Sequence, residues 1–259
     1  MNKDEILIRL KNNPEYIKDL EDSDDTFKKI IIKNNGTNIR YISNPSRELQ
    51  IEAIKKTPLA AKYIDNMEED VAVMCVRSAW NSLEYIPLKT EKVIKEAIKT
   101  KGWAIQFVEN PSEELQIIAV SKDCDSIKYI ENPNEDVQIK AIEAYYAAIK
   151  YIKNPTLKAK ILSVKENGEA INYMGNYDLD EVKLFIEANI NVVKYIYESI
   201  DVELVIEVLM EIIKRDDISR EYIKNFLELE ILEMDKINFV RQYGSKNAKK
   251  YLVDYKLSI

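Results

Sequence analysis

The side chains equipped for chemistry in this 259-residue chain are 45 carboxylates, 38 Lys and Arg, 16 Tyr, two Trp and two Cys, and there is no His. Without an imidazole there is no Ser-His-Asp or Cys-His nucleophile, no histidine-ligated zinc and no histidine base working at neutral pH. Cys75 and Cys124 lie 49 residues apart with no CxxC pairing, which points to reduced structural thiols in a cytoplasmic protein. The five glycines, at 36, 102, 168, 175 and 244, form neither GxGxxG nor GxxxxGK followed by Ser or Thr, so there is no phosphate loop. No EF-hand spacing occurs among the acids, and nothing selects one pair of carboxylates from the 45 for hydrolysis. The expectation is a non-enzyme with no catalytic residues, no metal and no cofactor.

The same side chains are ordered in a way that suits binding. Bases recur as Lys55, Lys56, Arg77, Lys99, Lys101, Lys122 and Lys165, and Pro58, Trp80, Trp103, Tyr145 and Tyr146 follow them closely in the chain, both tryptophans included. Acids recur as Glu69, Asp70, Glu91, Glu113, Glu114, Glu135 and Asp136. An aromatic strip interleaved with bases would suit an acidic peptide or a single nucleic-acid strand, through stacking and cation contacts. Trp103 could equally serve as a plug in the core.

The elements that place these residues follow from a repeat. An aromatic followed by an aliphatic residue recurs every 22 residues, as Tyr41-Ile42, Tyr63-Ile64, Tyr85-Ile86, Phe107-Val108, Tyr129-Ile130, Tyr151-Ile152, Tyr173-Met174 and Tyr195-Ile196. An unbroken period means that each unit fills the same slot in a stack. Tyr16-Ile17 and Tyr222-Ile223 extend the pattern at spacings of 25 and 27, as divergent terminal units. The aromatic column is expected to form a core spine. Two residues before it stand Ile39, Ala61, Leu83, Ile105 and their counterparts; ten before it stand Ala53, Cys75, Ala97, Ala119, Ala141 and Ser163, each followed by a β-branched residue. With apolar columns fourteen and twelve residues before the aromatic, these offsets make one helical stripe.

Asn-Pro at 44-45, 110-111, 132-133 and 154-155 precedes Ser46, Ser112, Asn134 and Thr156, then acids. This is N-cap chemistry, and the recurrent Asn reads as a turn residue. Each unit is therefore a helix of about ten residues, a short connection, and a second helix of one to two turns. Acids at helix starts and bases at helix ends complement the helix dipole, and stacking would gather them into an acidic edge and a basic edge.

Residues 101–107, Lys-Gly-Trp-Ala-Ile-Gln-Phe, followed by Pro111 to Val120, resemble the NGWALQYA-type tandem repeats of unknown function found in bacterial and phage proteins. The resemblance covers about residues 27 to 200 and extends to HEAT-like solenoids and to the leucine-rich-repeat variant, which alternates a longer and a shorter helix. It implies a solenoid and carries no established catalytic residues. Met67, Lys89 and Tyr177 stand where other units have Pro, which puts the caps of those units in question.

At 46% hydrophobic and 32% charged, the composition is that of a folded, helix-rich chain. Charges interrupt both Met1–Asn13 and Val202–Ile213, so neither reads as a signal peptide or a membrane span. The fold expected is an all-α, right-handed α-solenoid of about nine two-helix units. Residues 1–26 would be an N-terminal cap or divergent repeat, 27–200 the repeats, and 201–259 a helical cap. Residues 236–259 hold six bases against one acid, a basic tail on a chain of net charge −7. That tail could bind an acidic partner or close onto the acidic edge of a second copy as a homodimer.

The function expected is a cytoplasmic protein-binding scaffold with no membrane partner. An Ile-, Lys- and Asn-rich composition together with the repeat resemblance suggests a bacterial or phage source and an inhibitor of a bacterial defence system. A nucleic-acid-binding solenoid is the alternative, and a HEAT-like DNA-processing enzyme comes last.

Overall fold

The computed structural model describes residues 2–20 and 25–258, and among them every regular element is a helix. The chain forms two compact units, residues 1–130 and 131–259. In the first, ten-residue α-helices alternate with six-residue 3-10 helices: Lys3–Asn12 and Pro14–Asp19, Asp25–Asn34 and Gly36–Tyr41, Arg47–Lys56 and Pro58–Tyr63. Glu69–Ser78 and Trp80–Tyr85, Glu91–Thr100 and Gly102–Phe107, Glu113–Lys122 and Cys124–Tyr129 complete it.

The second unit holds Glu135–Ala144 and Tyr146–Tyr151, then Leu157–Glu166 and Gly168–Tyr173, then Leu179–Ala188. There the short element breaks into Ile190–Val192, Val193–Ile196 and Tyr197–Ser199, and the α-helices Val202–Ile213, Arg220–Glu228, Lys236–Tyr243 and Lys246–Ser258 follow. Within each unit, successive α-helices pack on one another and successive 3-10 helices do the same, so each is an all-α repeat solenoid.

The second helix of each repeat takes the tighter 3-10 form. Six residues at a rise of about 2.0 Å span about 12 Å, close to the about 15 Å of ten α-helical residues, so the two layers match in length. One extended residue joins them. At Thr57, for example, φ is −151°, and its N–H donates to the Ala53 carbonyl at 2.8 Å. The helix starts follow the cap chemistry: Ser46, Thr90, Ser112, Asn134, Thr156 and Asp178 each accept an N–H from the third helical residue. Of the three units lacking Pro, only the one at Met67 loses its cap, since Glu68 makes no side-chain capping bond. Asn44 and Asn110 adopt left-handed φ of 48° and 47°, a conformation that Asn tolerates better than most residues.

The core lies between the layers. The columns two, nine and ten residues before the aromatic are buried throughout the repeats, with Ala53, Cys75, Ala97, Ala119, Ala141 and Ser163 fully enclosed, and the column fourteen before it is buried from Leu49 to Ala159. The column twelve before it is shallower: Val73 is buried, while Ile51, Ile117, Ile139 and Ile161 are half-buried. A further buried column, Ala60, Ser82, Ala104, Ser126, Ala148 and Ala170, lets successive 3-10 helices approach closely.

The aromatic column is not a core spine. Tyr41, Tyr63, Tyr85, Phe107, Tyr129 and Tyr173 are half-buried, and Tyr151 and Tyr195 are 37% and 43% exposed. The aromatic is the last 3-10 residue and the aliphatic after it is extended, so the two point opposite ways. It is Ile42, Ile64, Ile86, Ile130 and Ile152 that enter the core. The first repeat is also in a different register from the Tyr16-Ile17 expectation. Pro14 lies 22 residues before Gly36, so Asp19-Leu20 holds the place of the aromatic-aliphatic pair, and Lys18 aligns with Arg40 and Lys62. Tyr222 sits in an α-helix, buried, with its hydroxyl donating to the Ile186 carbonyl at 2.9 Å.

Glutamines latch the loops. Gln50 Nε2 donates to the carbonyls of Pro45 at 3.1 Å and Asn66 at 3.0 Å, and Gln116 to that of Pro111 at 2.9 Å. In the second unit Gln138 donates to Pro133, while Lys160 holds the matching place, reaching the Asn176 carbonyl at 3.0 Å and Glu181 at 2.9 Å.

Close approach also explains glycine at the start of a 3-10 helix. A β-carbon on Gly102 would lie 2.4 Å from the Ala119 carbonyl oxygen, a backbone atom of the next repeat, whereas one on Gly175 meets nothing within 4 Å. Gly102→Ala is therefore expected to cost about 1–3 kcal/mol in urea unfolding, and Gly175→Ala less than about 0.5 kcal/mol. Equal midpoints for the two variants would contradict this account of repeat spacing.

Candidate functional site

The α-helical layer largely cancels its own charge. In the first unit ion pairs link successive helices: Arg47 with Asp70 and Glu68, Lys92 with Glu69 at 3.1 Å, Arg77 with Glu96 at 2.7 Å, and Lys95 with Glu114 at 2.9 Å. The second unit does likewise through Lys158 with Glu135, Lys183 with Glu207, and Arg215 with Glu187. Arg47 holds the Asp70 carboxyl below its ordinary range by hydrogen bonding, and Thr90 does the same to Glu69. Such exposed pairs stabilise little individually, but they leave the acids of the helix starts matched by bases.

The structure places the expected basic-aromatic residues in two settings. Lys55, Lys56, Lys122 and Lys165 are exposed at α-helix ends, where they make no ion pair with a described residue. Arg77 and Lys99 share Glu96. Lys101 pairs with Asp123 at 2.6 Å, which raises its pKa, and its Nζ also lies 4.8 Å from the Trp103 ring centre. The rings turn toward the 3-10 layer instead of lying beside the helix-end lysines. Trp80 stacks on Phe107 of the next repeat with centroids 6.2 Å apart, and Trp103 meets Tyr129 edge-on at 6.1 Å. Trp103 is half-buried and held on several sides, with its Nε1–H donating to Asp125 at 2.8 Å and Lys128 lying 4.0 Å from the ring centre.

On the 3-10 layer of the first unit, the residue just before each aromatic is exposed and the aromatic is half-buried, so the two columns build a ladder of rings and cations. Lys18 lies over Tyr41 at 5.2 Å, Arg40 over Tyr41 at 4.9 Å and Tyr63 at 5.5 Å, and Lys62 over Tyr85 at 5.6 Å. Arg40 and Lys62 make no ion pair with a described residue, while Lys18 also reaches Glu15 at 2.9 Å. The run stops at Glu84 and Gln106. A cleft of about 660 Å³ opens between the Tyr41 and Tyr63 repeats, lined by Lys18, Arg40, both tyrosines, Gln50 and Asp65. Lys18, Arg40 and Lys62 were not among the residues singled out from sequence. Their signal is the 22-residue spacing of three cations beside the aromatic column, visible only once that column is known to face outward.

The second unit carries a different cluster. Tyr145 and Tyr146 pack with centroids 5.1 Å apart, and Tyr146 packs on Tyr173 at 6.5 Å. Glu169 accepts a hydrogen bond from Tyr146 at 3.0 Å and one from Tyr173 at 2.7 Å. Lys150 over Tyr151 repeats the cation-on-ring contact.

Cys75 and Cys124 are free thiols, and burial pushes both thiol pKa values up, away from the thiolate form. Among the described residues no group of three or more acids and cysteines is placed to hold a metal ion, and no helix is long and apolar enough to cross a membrane. No family model, curated protein or solved structure matches the chain, so the site stands on its own geometry.

The Tyr146–Glu169 contact makes a measurable difference. The hydrogen bond to the carboxylate, followed by desolvation, pushes the Tyr146 phenol from 10.0 up to about 12. A raised folded-state pKa contributes stability that is complete below pH about 10 and is lost as pH rises toward about 12. Ultraviolet titration of phenolate should show late-ionising tyrosines, Tyr146 and Tyr173 together with the buried Tyr222, and Glu169→Gln should return Tyr146 and Tyr173 toward the ordinary range. An unchanged titration curve in that variant would remove the assignment.

Proposed function

We propose that this chain is a non-enzymatic scaffold that binds a protein partner through the ring-and-cation ladder of its 3-10 layer. One observation carries this reading: Arg40 and Lys62 make no ion pair with a described residue and are each held against aromatic faces, so they keep their charge available and are already positioned. Tyrosine and arginine are among the residue types at which binding energy concentrates in protein interfaces. A cation stacked on a ring is already positioned, so less side-chain entropy is lost when an anion arrives.

Protein is favoured over nucleic acid because the cation column is broken at Glu84 and Gln106 before Lys128 and Lys150 resume it, with Asp65 beside it, on a chain of net charge −7. So interrupted a run would neutralise few consecutive phosphates. The resemblance of residues 101–120 to repeats of bacterial and phage proteins supports a scaffold and suggests a bacterial defence protein as the partner.

The test compares a poly-glutamate peptide with a single-stranded oligothymidylate at about 50 and about 200 mM salt. Peptide binding is expected, weakened about tenfold by Arg40→Ala with Lys62→Ala and by less than about twofold by Lys55→Ala with Lys56→Ala. Preferential oligothymidylate binding with a steep salt dependence would replace this reading with the nucleic-acid one. Loss of peptide binding in the Lys55/Lys56 variant alone would move the interface to the α-helix ends.

A further inference from the structure

We infer that two copies of this chain associate, the outward face of the helix Lys246–Ser258 in one copy lying on an exposed apolar stripe, Leu157, Leu179 and Val202, of the other. Both faces belong to the unit of residues 131–259, and neither includes a residue of the ring-and-cation ladder.

The stripe comes from a break in the repeat pattern. The first residue of the α-helix is Arg47, Glu69, Glu91, Glu113 and Glu135 in five successive repeats, and then Leu157, Leu179 and Val202 in the next three long helices. These aliphatic side chains are 42%, 63% and 39% exposed, so they add little to the core of their own unit. Leu157–Glu166 packs on Leu179–Ala188, which packs on Val202–Ile213, and that order sets the three side chains in a row. Single exposed aliphatics are ordinary on a protein surface, but three at one structural position of neighbouring helices form a continuous feature. Acids border it on both sides in sequence: Asp178 and Asp180 flank Leu179, and Asp201 and Glu203 flank Val202. All four are exposed and make no ion pair with a described residue, whereas Lys158, beside Leu157, is paired with Glu135.

The second face has the opposite charge. The helix Lys246–Ser258 buries Ala248 and Leu252 against its own unit. At about 100° per residue, Lys246, Lys249, Lys250, Val253, Lys256 and Leu257 fall within one arc of about 120°. All six are exposed, Leu257 by 82%, and the four lysines make no ion pair with a described residue. From Lys246 to Leu257 this arc runs about 16 Å, and three helix starts set about 8–10 Å apart run about 16–20 Å, so the two faces match in length.

Charge complementarity selects the occupant. Val253 and Leu257 laid on the stripe remove apolar surface from both sides, while the lysines reach the unpaired carboxylates beside it. Within one copy this contact is closed off, because the helix is packed on Arg220–Glu228 and Lys236–Tyr243 with its basic face turned to solvent. The partner is therefore a second molecule. In a two-fold pair each copy supplies both faces, and the contact is made twice. An anionic membrane would also suit the basic face, but it leaves the stripe uncovered.

Sedimentation velocity of the full chain from about 1 to about 200 μM reads the association. A dimer that forms with rising concentration is expected, weakened about tenfold or more by Leu179→Asp or Leu257→Asp, and less than about twofold by Arg40→Ala with Lys62→Ala. Two charge reversals, Lys249→Glu with Lys250→Glu and Asp180→Lys with Glu203→Lys, each weaken self-association. An equimolar mixture of these two variants regains it, which misfolded variants would not do. A chain that stays monomeric to about 200 μM overturns the proposal, and so does a dimer that Leu179→Asp and Leu257→Asp leave unchanged. If a monomeric chain binds phosphatidylserine vesicles and Lys249→Glu with Lys250→Glu abolishes this, the basic face is a membrane surface and the second-copy assignment falls. The ladder reading stands in each of these cases.

Discussion

A ten-residue α-helix followed by a six-residue 3-10 helix has too few internal hydrogen bonds to persist in water, and it exposes an apolar face that it has no means of covering alone. Within each unit of this chain each such pair covers the next, and the contact is made close by small residues. Ala53, Cys75, Ala97, Ala119, Ala141 and Ser163 are completely enclosed where α-helices meet, while Ala60, Ser82, Ala104 and Ala170 do the same for the 3-10 helices. Larger side chains at these places would separate the layers and leave voids beside Ile54, Val76 and Ile98. Among the polar small residues, Ser163 Oγ donates across the gap to the Tyr146 carbonyl at 2.7 Å, Ser82 Oγ donates to the Ala79 carbonyl at 2.6 Å, and Ser126 Oγ is buried with no partner among the described residues.

That spacing decides what each surface can do. Because successive α-helices lie side by side, acids at the start of one are within reach of bases on its neighbour, and their charges are spent on each other. The 3-10 layer has no such exchange at Arg40 and Lys62, since the neighbour of each cation is a tyrosine ring, while Lys18 lies on a ring and also reaches Glu15. Two layers built from the same 22 residues thus differ, one joined by ion pairs between its helices and one with cations lying on rings. A net charge of −7 describes neither.

Much of the fold was legible beforehand, and the reason is local. Helix starts at Ser46, Ser112, Asn134 and Thr156 depend on a side chain meeting an N–H three residues away, and the core columns depend on a helical period read within one unit. The candidate site was legible only in part. The aromatic column recurs as regularly as the core columns, and recurrence alone does not separate a residue repeated because it is buried from one repeated because it stands at the end of a 3-10 helix. The tryptophans were recognised as unusual, yet their partners, Phe107 for Trp80 and Tyr129 for Trp103, belong to the following repeat.

The residues by themselves therefore determined the period, the lengths of the paired helices, their caps and the aliphatic interior, all of which follow from hydrogen bonds and periodicity over fewer than 22 positions. Only the tertiary structure decided which side of the aromatic column meets solvent, which cations lie on rings and which on acids, and that Gln50 lacks the donor its counterpart Gln138 has. These depend on distances between side chains in different repeats. A displaced loop at Met67 or an enclosed alanine changes those distances without altering the pattern of residue types.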